Sequence, residues 1–435
     1  MPAENPSDQS EIMTAPDATL PPLWRNRSYT LLQSGKTAHI IGLGVGAFAV
    51  PLLAFQVTGS VAQAGVIAGV GEVGALLGTL PGGVVADRFD RRWIILASSV
   101  TGGLLWLALA VTWWTGQLTG WHLAAVLFGS SVAGVFANPA ESGAIRAVVP
   151  SEQLGAAMAV VQGRSAAASM VAGPLGGFLY GAGQAVPLLA SAAGHLVMAV
   201  ATGFVREPLN GDLDAARATR PVAALREGLR FIWNVRFFRM ALGLFVAVNV
   251  AFIALMTTVN LELVQTGTDP VLIGLLDLVA GGVMVLGALA APGLLKRLRL
   301  GALIVAGLGL SALGVAGMAM LHSYLGYLVM LAVSVALIPA VNAGLGGYTL
   351  AITPPDLQGR ASSVLGLAAF VAAPIAPVVG AALLAGAGVA PALWAFAIAI
   401  AVITATLACL PSLRRIGLPQ TWERDAVEWP VSSGR

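Results

Sequence analysis

Two carboxylates, Glu72 and Asp277, interrupt long apolar runs of this chain, and a guanidinium, Arg164, interrupts a third. An ionisable side chain carried into the middle of a hydrocarbon layer costs about 2.5–3.5 kcal/mol on insertion scales, so each one needs a reason to be there. A carboxylate withdrawn from water can take up a proton on one side and release it on the other. Glu72 stands about 15 Å from either end of its run, at 1.5 Å per residue, which makes it the first candidate for that chemistry. Asp277 is the second, at nearly the equivalent position of a later run although closer to the outer face. Arg164 is expected to pair with Glu72 or to hold an anionic substrate. A structural Glu72–Arg164 pair with no proton cycle is the plain alternative. Lys36 is expected to snorkel to the inner interface, and His39 and His195 to be hydrogen-bonded interior residues. Glu262 lies near the outer end of its run.

The elements that must position these groups are membrane spans. The chain is 57% hydrophobic and 10% charged, with a mean hydropathy of +0.85. A soluble domain carries about a quarter of its residues charged, so most of this surface faces something other than water. Apolar stretches of the required ~20 residues predict spans over 34–57, 62–85, 93–115, 122–144, 156–181, 185–204, 241–264, 271–293, 302–321, 324–349, 361–385 and 390–411. The fold class is therefore all-α and integral to a membrane, with twelve transmembrane helices.

Alternate connectors are basic. Arg88, Arg91 and Arg92 follow span two, Arg146 follows span four, and Lys296, Arg297 and Arg299 follow span eight. The opposite connectors hold no Lys or Arg. The positive-inside rule then predicts both termini in the cytoplasm of a multi-pass protein of the cell membrane. Residues 1–30 read as a cytoplasmic tail without a signal peptide. Residues 31–205 and 241–411 form two six-helix bundles. The linker 206–240 carries an amphipathic helix over 222–239 lying on the inner membrane surface, and 412–435 is a second tail.

The bundles repeat one another. Asn138, Pro150, Glu152 and Gly155 recur at the same spacing as Asn342, Pro354, Asp356 and Gly359, and Ala172-Gly173-Pro174-Leu175-Gly176 aligns with Ala376-Pro377-Val378-Val379-Gly380. The end of span two, Gly82 to Arg88, matches the end of span eight, Ala291 to Arg297. Two six-helix halves related by a pseudo-two-fold axis, with substrate bound between them near the midplane, are one large transporter architecture.

The loop Gly83-Val84-Val85-Ala86-Asp87-Arg88-Phe89-Asp90-Arg91-Arg92 resembles the signature loop of the major facilitator superfamily, with Asp90 where a glycine is usual. Span five holds Gly173-Pro174-Leu175-Gly176-Gly177, which resembles a motif of the superfamily's exporters. With Thr30 to Gly35 and Pro51 to Ser60, these segments look like the enterobactin-exporter and macrolide-efflux branch, over about residues 24–411. The resemblance implies that Asp87 meets the start of span eleven near Arg360-Ala361-Ser362. It also implies that Arg91 pairs with Glu141, shutting the cytoplasmic side in the outward-facing state, and that transport runs outward.

Other chemistry finds no support. The sequence has no Walker loop and no His-Glu-x-x-His. Cys409 is the single cysteine and reads as a small buried hydrophobe. No catalytic residue, metal or cofactor is expected, the proton gradient supplying the energy. The expected partners are a small amphipathic substrate such as a drug, antibiotic or siderophore, protons and the bilayer, with no nucleic acid and a functional monomer. A lipid flippase or an importer on the same fold is the alternative, and a membrane enzyme a distant third.

Overall fold

The computed structural model describes residues 21–210, 233, 236–353, 358, 371–410, 413, 416–422 and 424. Its principal helices are α1 (Arg27–Thr58), α2 (Val61–Arg88), α3 (Arg91–Trp114), α4 (Gly120–Val148), α5 (Leu154–Ala182), α6 (Val186–Phe204), α7 (Arg236–Gln265), α8 (Pro270–Arg297), α9 (Leu300–Leu321), α10 (Tyr324–Val335), α11 (Ile338–Ile352), α12 (Ile375–Ala387) and α13 (Val389–Cys409). Among the described residues there is no β-strand. Ten segments are long and apolar enough to cross a membrane, with α10 and α11 together forming one of them. α5 is long enough at 29 residues but is diluted by Gly, Ala and Ser. α12 is a shorter apolar helix. These two stand at the places of predicted spans five and eleven, the first part of span eleven lying outside the described residues. Most of the predicted linker helix, 222–232 and 234–235, lies outside the described residues, as do residues 359–370 around Arg360, while 236–239 of that predicted helix form the first turn of α7.

Local chemistry sets the boundaries. Asn26, Ser60, Asp90, Asp269 and Ser323 stand at N-caps, and their side chains accept backbone N–H groups of the first turn, satisfying donors that the helix leaves open. Gly59 ends α1 in the left-handed region at φ 65°. The tenth span is interrupted between Val335 and Ile338, just ahead of Pro339, whose ring and missing N–H break the ladder.

Packing repeats with the predicted symmetry. In the first half α1 lies against α5 and α6, α3 against α4 and α6, and α2 along α4. In the second half α7 lies against α12 and α13, α9 against α10 and α13, and α8 along α10 and α11. The halves meet along two seams, α2 with α12 and α5 with α8, which the same symmetry exchanges. Apolar clusters cross between the halves: Leu53 and Ala64 pack with Leu261, Ala381 and Leu384, and Phe48 and Leu52 join the core around Leu255 and Val259. Burial of these side chains seals the end of the molecule away from the basic loops.

Cys409 is exposed on the last turn of α13, contrary to the expectation of burial. An apolar run marks a residue as excluded from water, and it does not say whether protein or lipid covers it.

Candidate functional site

Each seam depends on helices that approach without side chains between them. A methyl at Gly69 would stand 2.8 Å from the Pro374 carbonyl oxygen, and one at Gly65 2.8 Å from that of Pro377. In the α5–α8 seam a methyl at Gly173 would stand 2.8 Å from Asp277 Oδ2 and 3.2 Å from the Gly274 carbonyl. Gly177 is pressed against Pro270, and Gly176 against the Phe48 ring. Such contacts are the close packing that small residues allow in a bilayer, with Pro174 inside α5 weakening its ladder. Gly173 and Gly177 of the motif thus face the opposite half, while Gly176 faces α1 of its own half.

The seams also set the register of the repeat. Gly65 meets Pro377 as Gly274 meets Gly173, so Gly65 corresponds to Gly274. Counting on along both helices, Ala68 corresponds to Asp277 and Glu72 to Gly281. Asp277 therefore lies one turn nearer the outer end than the exact equivalent of Glu72, in keeping with the expected near-equivalence.

Asp277 faces a cavity of about 530 Å³ between the halves. Its wall is mostly apolar, with Phe48, Ala68 and Met256 among its residues, and Ser169, Thr257 and Asn260 add hydrogen-bonding groups. Asp277 is the charged residue in this lining. Glu72 is half-buried on α2, on the stripe of Gly65 and Gly69 and one turn from cavity-lining Ala68. Arg164 is half-buried on α5, and its Nη2 has no hydrogen-bond partner. No ion pair joins Glu72 and Arg164; among the described residues the ion pair is Lys36 with Glu141.

That pair overturns one expectation. Lys36 turns inward, its Nζ on the Glu141 carboxylate and 3.1 Å from Asn138 Oδ1, instead of snorkelling to the interface. In this conformation Glu141 is engaged by α1, whereas its expected pairing with Arg91 belongs to the outward-facing state. The Arg91 guanidinium lies over Gly143 and donates to the Leu209 carbonyl at 3.1 Å. The reason is the start of the linker, which folds back over the loop with Val205 and Leu209 buried. Asn210 Oδ1 accepts the Arg91 N–H at 3.0 Å, the Glu207 carbonyl accepts from Arg92 at 2.9 Å, and the Ser28 hydroxyl donates to the Glu207 carboxylate. That hydroxyl, first among the causes, holds the Glu207 carboxyl below the usual carboxylate range. Asp90, where the loop departs from glycine, caps α3 by accepting the Arg92 N–H at 2.8 Å. Asp87 and Arg88 are exposed at the end of α2, and Gly83 faces open space. The expected partner of Asp87, around Arg360, lies outside the described residues.

The two histidines are interior but not hydrogen-bonded as expected. His39 and His195 stack edge to face, with ring centroids 4.4 Å apart. Both His195 nitrogens and His39 Nδ1 lack a partner. No group of three or more His, Cys, Asp or Glu able to hold a metal ion occurs among the described residues. The Lys36–Asn138–Glu141 cluster was missed as a unit. Its sequence signal is present in the one-turn-scale spacing of Asn138 and Glu141 on α4, but α1 comes to it only by folding.

The profile of the Major Facilitator Superfamily matches residues 37–351. Among known proteins, the chain is similar to the multidrug efflux pump Tap of Mycobacterium tuberculosis and Mycobacterium bovis, at 26% identity over 412 residues, covering 91% of this chain and 95% of that protein. Among solved structures, the fold is similar to a point mutant of the nucleoside transporter NupG, with a TM-score of 0.72, 12% identity and coverage of 88% and 99% of the two chains. It is also similar to a bacterial homologue of the human lysosomal transporter Spinster in an inward-facing and occupied conformation, with a TM-score of 0.67, 16% identity and coverage of 91% and 98%. The xylose transporter XylE from E. coli, in an inward-open conformation, follows with a TM-score of 0.63, 12% identity and coverage of 92% and 100%.

Proposed function

The chain belongs to the Major Facilitator Superfamily, and from that premise we propose that it is a proton-coupled exporter of small amphipathic, drug-like molecules, preferentially cationic ones. The observation that carries this reading is Asp277: one carboxylate in an apolar cavity between the halves, touching the glycine of the span-five motif. Apolar walls take up the body of an amphipathic compound, and a carboxylate in a low-dielectric surround selects positive charge. The same carboxylate can hold either a proton or the cation, so binding one expels the other. The similarity to a multidrug efflux pump over nearly the whole chain supports drug-like substrates.

The packing suits alternating access by two rigid halves. Close approaches at Gly65, Gly69, Gly173 and Gly177 shut the end away from the basic loops, while Gly83 and Gly163 near the basic end face open space. With the basic loops in the cytoplasm, this is an inward-facing state of a multi-pass protein of the cell membrane. Substrate enters from the cytoplasm and displaces the proton from Asp277. The seams then part at the outer end while the basic ends close. Outside, a proton replaces the substrate and resets the cycle. Glu72, in the other seam, is a second proton carrier, and Arg164 stands on α5 next to Ser165 and five residues before cavity-lining Ser169. The protein works as a monomer, with the proton gradient as its energy source and no cofactor.

The test uses inside-out vesicles carrying the full chain and an imposed proton gradient. Adding ethidium should dissipate the gradient in the wild type. Asp277→Asn should abolish that response while leaving the amount of inserted protein unchanged. Normal coupling in this variant would remove the assignment.

A further inference from the structure

One position of the repeat is filled by different means in the two halves. Asn138, Pro150 and Glu152 recur as Asn342, Pro354 and Asp356 at one constant offset, so Gly143 on α4 corresponds to Gly347 on α11. Both glycines make room for a flat group. A methyl at Gly143 would stand 2.5 Å from Cζ of Arg91, and a methyl at Gly347 would stand 2.9 Å from Cζ3 of Trp422. The flat group is thus a guanidinium from the signature loop in the first half and an indole from the C-terminal segment in the second. The second-half loop does not fill this place itself. Arg91 opens α3 as Leu300 opens α9, and Leu300 is aliphatic and fully buried beside Gly344, a turn before Gly347. Lys296, Arg297 and Arg299 are exposed.

The segment that carries Trp422 is built into the second half. After the last helix of each half, the chain turns back to the start of that half's third helix. Beyond α6, Asn210 Oδ1 accepts the N–H of Arg91 at 3.0 Å. Beyond α13, the Gly417 carbonyl accepts the N–H of Leu300 at 3.3 Å, and the Ile416 carbonyl accepts that of Gly301 at 3.5 Å. These donors are among those that a helix start leaves open. The Gly417 carbonyl also accepts the Trp422 indole N–H at 3.2 Å, so one oxygen joins α9 to the indole. Ile416 is 2% exposed and Trp422 7%. The indole stands edge to face on Tyr348 of α11, with ring centroids 5.8 Å apart. A buried indole with its N–H satisfied and an aromatic partner is a strong anchor.

We infer that Trp422 is a positioning residue: it ties the starting end of α9 to the basic end of α11, as Arg91 ties α3 to α4 in the first half. Alternating access moves each half as a rigid body, so these helix ends must travel together when the basic side closes. The first half makes the tie from its own loop, and the second takes it from the tail. Residues 416–422 are therefore a working part of the moving half.

Hydrogen exchange of the purified full-length protein in lipid nanodiscs tests the tie without any substrate. Trp422→Ala should raise exchange about fivefold over residues 300–304 and 344–352 while 91–95 and 141–148 keep the wild-type rate. Trp422→Phe, which keeps a flat ring over Gly347, should hold all four stretches within about twofold of the wild type. Gly347→Ala should act as Trp422→Ala does, by displacing the indole, and should add nothing in a Trp422→Ala background. Unchanged exchange in Trp422→Ala overturns the inference, as does an equal rise in both halves or an effect of Gly347→Ala that is independent of Trp422. In vesicles at matched inserted protein, Trp422→Ala should lower ethidium turnover about fivefold with an unchanged half-saturating concentration, and Trp422→Phe should restore it. Normal turnover beside raised exchange would remove the positioning role. A wild type that moves no ethidium would sink the exporter reading instead, and the exchange pattern decides the tie in either case.

Discussion

Gly173 and Asp277 touch across the boundary between the two halves: a methyl group at Gly173 would stand 2.8 Å from the Asp277 carboxylate oxygen. The glycine of the span-five motif is therefore part of the wall that holds the acidic group in place. Gly173→Ala should displace Asp277 or part the seam, since the Gly274 carbonyl lies on the same side at 3.2 Å. The expected outcome is at least a tenfold loss of efflux at normal expression. Gly163→Ala, where nothing stands within 4 Å, should transport as the wild type does. Efflux from loaded cells at matched protein levels checks both.

The two seam carboxylates are unequal. Asp277 lines the cavity and Glu72 stands a turn away from its Ala68. Asp277→Asn should abolish proton-coupled transport, and Glu72→Gln should slow it by less. Measuring proton movement and substrate flux in the same vesicles separates them. A larger effect at Glu72 would reverse the assignment.

Lys36 and Glu141 should be tightly coupled. Breaking a buried pair by removing one member leaves an uncompensated charge and costs about 3–5 kcal/mol. Lys36 is 22% exposed and Glu141 9%, which places this pair near the lower end. Lys36→Met should lower the unfolding temperature in detergent, and Lys36→Met/Glu141→Leu should recover most of that loss. Additive losses would show that the pair contributes nothing.

The linker contact should respond to acid. The Ser28 hydroxyl, with backbone N–H groups, lowers the folded pKa of Glu207 below an unfolded value of about 4.3. A depressed carboxyl stabilises the folded contact above the unfolded pKa and loses that contribution as the pH falls through the folded value. Amide hydrogen exchange over residues 205–210 should therefore rise, relative to the intrinsic rate, below about pH 4. Ser28→Ala should show the raised exchange already at pH 7.

The signature loop offers a last contrast. Asp90 caps α3, so Asp90→Ala should cost about 1 kcal/mol of stability and leave transport largely intact. Asp87 is exposed at the end of α2 in this state, so Asp87→Asn should insert and fold normally yet transport poorly. Equal transport by the two variants would remove the gating assignment of Asp87.

Hydropathy, one-sided arginines and the repeat were enough to predict twelve spans in two related halves, because each rests on local composition and spacing. Helix limits followed from caps such as Ser60 and Asp269 and from Gly59, which act within one turn of chain. The motif residues from Gly173 to Gly177 were also legible, since small residues at such spacing must face a close neighbour. What that neighbour is was not. Only packing brings Asp277 against Gly173, turns Lys36 to Glu141 and lays Leu209 on Arg91. A sequence records how deep a charge sits, but not which face of its helix meets which partner. A displacement of four residues moves a carboxylate by one turn, and here that turn separates Asp277 on the cavity wall from Glu72 beside it.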